Sequence, residues 1–141
     1  MKVIDLALLD KVSSFATFHG RMSRSEVVNF YKTADYALLL RDENKLFVKA
    51  GCPTKIVESL FYGVPPITNL FGDLSEYLID SKNSIIASEH SIEEFKTAII
   101  KSIKLIDSHK ELSDGAIKTA HSYFESSKYL NQMKEFIRNE Q

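Results

Sequence analysis

The sequence predicts an α/β domain built on a parallel sheet, and three observations carry that prediction. Short apolar runs alternate with amphipathic stretches along the chain. Tyr36 to Leu40 is a continuous apolar run, the pattern of a strand covered on both faces. Gly63 closes a helical stretch and leads at once into Val64 to Thr68, a second short buried strand.

The elements follow in order. Ile4 to Val12 predicts a short helix and Phe15 to His19 a strand. Ser23 with Glu26 forms a capping box that opens a helix running to about Thr33. After the Tyr36 strand, Arg41 to Cys52 reads as a polar loop. Pro53 begins the next helix, and the Val64 strand follows it. Leu74 to Ile79 predicts a short helix and Ser84 to Ala87 a last strand. Ser91 with Glu94 is a second capping box, and the helix behind it sets Ile92, Phe95, Ile99, Ile103 and Ile106 on one face as core. Ser113 to Phe124 and Ser127 to Arg138 are two further amphipathic helices, with their apolar stripes also read as core. The chain is expected to be a single domain over 1–141, with C-terminal helices from about residue 91.

Composition narrows the class. With 141 residues, 44% hydrophobic and 26% charged, the chain suits one globular domain. Lys and Arg number 18 and Asp and Glu 19, a net charge of −1. No basic field offers itself to nucleic acid, so none is expected as a partner. One cysteine excludes an internal disulfide framework. No charged leader followed by a long apolar run is visible, so a cytoplasmic location is expected. His90, His109 and His121 share no metal-ligand spacing with one another or with Cys52, and neither a metal nor a cofactor is assigned.

The most informative stretch runs from Ala50 to Ile67. Pro53 suits the first helical position, where its missing N–H has no partner to lose. Thr54 and Lys55 then carry N–H groups with no intrahelical acceptor. Those donors and the helix dipole favour an anion, phosphate above all. Gly51 presents no side chain to block an approach. Glu58 lies four residues beyond Thr54 on the same face, roughly 6 Å along the axis. That is about the separation between a diphosphate and the ribose hydroxyls of one nucleotide. Gly20 and Arg21 fall at the C-terminal end of the predicted Phe15 strand, the end at which α/β sheets bind ligands.

Several motifs in order resemble the donor-binding half of GT-B glycosyltransferases, in particular the large group 1 (GT4-like) family. Phe18-His19-Gly20 is similar to the family's F-x-G strand end, and Tyr31 to Leu40 to its Y-x-x-A-D-x-x-L-L segment. Pro53 to Asn69 is similar to P-T-K-x-x-E-x-x-x-x-G-x-P-x-I-x-N, and Gly72, Asp73 and Glu76 to the short helix beyond it. The likeness covers roughly residues 15–88.

The resemblance implies a Rossmann-like parallel sheet with flanking helices. It implies the C-terminal half of a GT-B fold lacking its first strands and the acceptor-binding domain, and hence a fragment. It implies a nucleotide-diphosphate sugar as the partner and transfer to an acceptor with retention at the anomeric carbon. As a fragment the chain is expected to be inactive alone. Glu58 matches the second acid of the family's E-x7-E motif, which holds the donor ribose. The first acid falls at Ala50, a departure that bears on contact with the donor sugar. Gly51, Thr54 and Lys55 match the loop that cradles the diphosphate, and Gly20 with Arg21 the strand end that faces the base. The missing strands would leave a sheet edge open to pairing with a second copy. Two alternatives stay open: a non-catalytic nucleotide-sugar-binding module or half of a split enzyme, and a structural remnant without ligand.

Overall fold

Local signals set most element ends. The computed structural model describes residues 11–49, 51 and 53–139, and the chain divides into two compact units, residues 1–30 and 31–141.

In the first unit, Lys11 and Val12 are helical, and the rest of the predicted Ile4–Val12 helix lies outside the described residues. The N–H groups of Phe15 and Ala16 donate to Val12 O at 3.0 and 2.8 Å and close a turn. Ala16 to Gly20 is then irregular. The predicted strand over Phe15 to His19 is therefore corrected. A strand needs a neighbour's backbone for its N–H and C=O groups, and this segment finds none among the described residues. Phe15 and Phe18 are 78% and 56% exposed. Helix α1 (Arg24–Tyr31) opens on the expected capping box. Ser23 N–H donates to Glu26 Oε2 at 2.7 Å, and Glu26 N–H donates to Ser23 Oγ at 3.4 Å. The Ser23 hydroxyl and N–H hold the Glu26 carboxyl below its ordinary value.

The second unit runs β1 (Ala37–Leu39), α2 (Leu46–Lys49), α3 (Thr54–Phe61), β2 (Pro66–Asn69), a 3-10 turn (Gly72–Glu76), β3 (Ile85–Ala87), α4 (Ile92–Lys104), α5 (His109–Tyr123) and α6 (Leu130–Asn139). The three strands are parallel in the order β1-β2-β3, with helices on both faces: a Rossmann-like α/β sheet. The strand expected over Val64–Thr68 is Pro66–Asn69, the helices expected from Ser113 and Ser127 begin at His109 and Leu130, and two expected segments change character. The polar loop 41–52 contains the single-turn α2, whose Val48 is buried in the core. The expected helix over Leu74–Ile79 is a 3-10 turn over Gly72–Glu76, started by Gly72 at φ +54°.

Strand alternation assigns the core to two faces. On one, Leu39 and Ile86 join Ile56 and Leu60 of α3 with Ala116 and Ala120 of α5. On the other, Ile67, Ile85 and Ala87 meet Phe95, Ala98 and Ile99 of α4. Burying each large aliphatic side chain contributes about 1.5–3 kcal/mol. Every residue of β2 is buried, as its central place requires. The expectation that the Tyr36–Leu40 run is covered on both faces is corrected. Leu38 shares a face with its register partner Ile67, but α4 lies over β2 and β3, and Leu38 is 56% exposed on an edge strand.

The predicted stripe on α4 holds at Phe95 and Ile99, which pack on the core, and is corrected at its other positions. Ala98 and Ser102 are its buried residues, while Ile92, Ile103 and Ile106 are exposed. The apolar face of α6 is uncovered too, with Leu130, Met133, Phe136 and Ile137 all exposed. The second capping box forms by half. Glu94 N–H donates to Ser91 Oγ at 3.2 Å, but the Glu94 carboxylate turns to the Ser88 hydroxyl.

Helix α3 ends as its glycine demands. Gly63 sits at φ +68°, with Gly63 N–H on Leu60 O (3.0 Å) and Val64 N–H on Ser59 O (2.9 Å), a Schellman motif. Ser113 Oγ of α5 donates to Gly63 O at 2.7 Å. Further along α5, Gly115 allows a close approach: a Cβ there would stand 2.1 Å from Lys82 O. Asn83 next to it is a buried hub, donating to Tyr77 O (2.8 Å) and Thr119 Oγ1 (2.7 Å) and accepting from Ile79 N–H (2.8 Å). Asp80 ties this turn to α4 and β3 by pairing with Lys101 and accepting from Ile86 N–H at 2.9 Å. Burial pushes the Asp80 carboxyl up, but the Lys101 ammonium and the Ile86 N–H outweigh it and leave the group below its ordinary value.

Candidate functional site

In a parallel sheet the carboxyl ends of all strands lie at one edge, and the loops leaving them form the ligand-binding rim. Here those loops begin at Leu40, Leu70 and Ser88. Helix α3 is the return leg from β1 to β2, so its N-terminus opens toward that rim.

The start of α3 differs by one position from the expectation. Pro53 is the residue before the first turn, at φ −71° and ψ 117°, and supplies no side-chain cap. Ile56 N–H and Val57 N–H donate to Pro53 O at 2.9 and 3.3 Å. Thr54 and Lys55 thus occupy the first two helical positions, whose N–H groups have no acceptor inside the helix. Both residues are exposed. Gly51 is exposed as well, and no heavy atom beyond its chain neighbours lies within 4 Å of where a Cβ would stand. The protein's own packing therefore leaves that space open. Ala50 and Cys52 lie outside the described residues.

Glu58 is half-buried one turn further on. Beside it stands an aromatic pair that motif reading had not singled out. The rings of Tyr31 and Tyr62 stack with centroids 5.4 Å apart and planes 6° apart. Tyr31 Oη donates to Lys55 O at 3.4 Å. Burial, then the Glu58 carboxylate and Tyr62, push the Tyr31 hydroxyl up. The signal was available, since Tyr62 follows Glu58 by four residues and shares its helical face.

Thr54, Lys55 and Glu58 are thus brought together on α3, with Gly51 just ahead of them. Gly20 and Arg21 belong to the first unit. There they lie in irregular chain, not at the end of a strand, and Gly20 turns the backbone at φ +66°.

A second constellation on the rim joins residues far apart in sequence. Asn69 closes β2 and is 1% exposed. Its Oδ1 accepts from Arg41 N–H at 3.0 Å, and its Nδ2 donates to Arg41 O at 2.8 Å and to Glu43 Oε2 at 2.9 Å. Neighbouring Asp42 is engaged separately: its Oδ1 accepts from Asn44 N–H at 3.1 Å, and its Oδ2 lies 3.8 Å from Lys45 Nζ.

Among the described residues, concave surfaces also lie elsewhere. One, of about 510 Å³, is bounded by Tyr77, Ile79, Lys82, Lys118 and Tyr123 and opens near the amino end of β3, away from the rim. Another, of about 380 Å³, runs along Tyr129, Met133, Phe136 and Ile137. Among the described residues, no helix is long and apolar enough to cross a membrane.

No curated protein matches the chain. The family described as glycosyl transferases group 1 does, over residues 2–119. That span takes in the rim, all three strands and most of α5. A Rossmann-like sheet with helices on both faces is the architecture of the GT-B C-terminal domain in such enzymes. The chain belongs to the group 1 glycosyltransferases, enzymes that transfer sugars.

Proposed function

We propose that this chain is the donor-binding part of a glycosyltransferase and holds a nucleotide-diphosphate sugar at the start of α3. One observation carries the reading: an exposed helix N-terminus with two N–H groups uncommitted among the described residues, open space at Gly51, and a carboxylate one turn along. The N–H groups of Thr54 and Lys55 receive the diphosphate, and Glu58 accepts hydrogen bonds from the ribose hydroxyls. Gly20 and Arg21 serve the base side, on the strength of the motif alone. Negative charge gathers on the leaving diphosphate as the glycosidic bond breaks. Fixed amides and the helix dipole stabilise it there, which accounts for the charge without a metal. The reaction proceeds with retention at the anomeric carbon.

The 141-residue chain transfers no sugar alone. A cleft between two lobes positions donor and acceptor, and losing that positioning forfeits on the order of 7 kcal/mol of barrier reduction. Incubation with donors and acceptors, followed by product analysis, checks this; turnover at ordinary enzymatic rates would overturn it. The edge of β1, unpaired among the described residues and with Leu38 exposed, favours pairing with a second copy.

Calorimetry with UDP, GDP and their sugars tests the site. Glu58→Ala is expected to weaken nucleotide binding tenfold or more, because a hydrogen bond to a charged group contributes about 1.5–3 kcal/mol. Folding stability should hold, since Glu58 lies outside both core clusters. Equal binding by the variant rejects the ribose role, and no binding of any nucleotide by the wild type rejects the site.

A further inference from the structure

The last ladder pair between β1 and β2 is Leu39 with Thr68. Beyond it the side chain of Asn69 continues the pairing, engaging both the N–H and the C=O of Arg41. The amide orientation is forced. Turned over, it would set N–H against N–H and oxygen against two acceptors. Its remaining N–H goes to Glu43 Oε2. One buried amide thus fixes the Arg41–Asn44 turn on the rim and aims one carboxylate there. Glu43 is half-buried, and its Oε1 accepts no hydrogen bond from any described residue. Asp42 accepts from Asn44 N–H and faces Lys45 within its own turn, whereas Glu43 is held by a buried amide and keeps an acceptor to spare among the described residues.

We infer that Glu43 is a specificity-determining residue that accepts a hydroxyl of the donor's glycosyl group, and that Asn69 is its positioning residue. This rests on the donor reading above. Helix α3 runs back along the sheet from the rim, so Glu58 lies behind the helix start while Glu43 lies beyond the strand ends. A donor with its ribose at Glu58 and its diphosphate at Thr54 carries its glycosyl group toward the Glu43 turn. A glycosyl hydroxyl donates a hydrogen bond that a pre-aimed carboxylate accepts strongly.

The experiment compares UDP with UDP-glucose and GDP with GDP-mannose by calorimetry on the full 141-residue chain. Glu43→Gln keeps an oxygen for Asn69 and replaces the charged acceptor with a neutral amide. It should weaken nucleotide-sugar binding about fivefold while leaving the bare diphosphate and the melting temperature unchanged. Asn69→Ala should narrow the affinity ratio of sugar conjugate to bare diphosphate by a similar factor. In the double variant the two losses should not add, as expected for groups acting as one unit. That ratio is the readout, because general loosening of the fold would weaken both ligands alike. A Glu43→Gln chain that binds both ligands as the wild type does, or loses both equally, overturns the inference. So does a wild type that binds conjugate and bare diphosphate equally well. A wild type that binds no nucleotide overturns the donor reading itself, and this inference with it.

Discussion

Helices α3 and α6 are both amphipathic, yet they meet opposite fates. In α3, Ile56 and Leu60 are 2% and 0% exposed against the sheet and α5. In α6, Leu130, Met133, Phe136 and Ile137 fall on one face and are 50–66% exposed. The family match covers all of α3 and ends before α6. A helical apolar stripe states which face is suited to burial; whether anything covers it depends on the rest of the fold. Helix α3 has β1, β2 and α5 to lie against, whereas α6 has only the 3-10 turn Ser126–Tyr129 close by among the described elements.

The largest expected contrast tests this directly. Leu60→Ala should cost about 2–5 kcal/mol, since it opens a cavity in a closed core. Phe136→Ala should stay within about 0.5 kcal/mol, as for other exposed positions. Denaturant unfolding of both variants measures the pair. A Phe136→Ala cost approaching that of Leu60→Ala would mean that the α6 face is covered in solution, and the contrast would break.

A smaller effect sharpens the comparison from α4, whose last turn is tied down by the Lys101–Asp80 pair. Asp80 has a lowered folded-state value, so its ionised form binds the folded state better. The resulting stability is complete above the unfolded carboxylate value, about pH 4, and is lost as pH falls through the folded value. Half-exposed as the pair is, the contribution should be about 0.2–1 kcal/mol. Melting curves of wild type and Asp80→Asn should differ slightly at pH 7 and converge as the pH falls below the folded-state value; a gap that widens on acidification would reverse the sign.

Much of the fold was legible where a local signal decides it. The Ser23–Glu26 box, the Gly63 stop and the apolar Val64–Thr68 run each settle a backbone conformation within a few residues. Phe15 to His19 misled because a strand is made by its neighbours and no local pattern guarantees one. The α4 stripe misled in a different way. Isoleucine at helical spacing marks a suitable face, but the helix approaches the sheet most closely through the small residues Ala98 and Ser102, with Phe95 and Ile99 beside them, and the bulky Ile92 and Ile103 are left outside. In the candidate site, Thr54, Lys55 and Glu58 were legible because helical geometry alone assembles them. Asn69 and Glu43 were not, because 26 residues separate them and only the β1–β2 register brings them together.

The Schellman end of α3 has a mechanical consequence. Ser113 grips the Gly63 carbonyl, the ring of His121 meets Phe61 edge-on at 5.6 Å, and β2 begins three residues beyond Gly63. The opposite end has neither a side-chain cap nor a packed glycine. Helix α3 is therefore built into the wall at its tail by α5 and β2, while its tip is moored by Ile56 in the core and by the Tyr31 hydroxyl on Lys55 O.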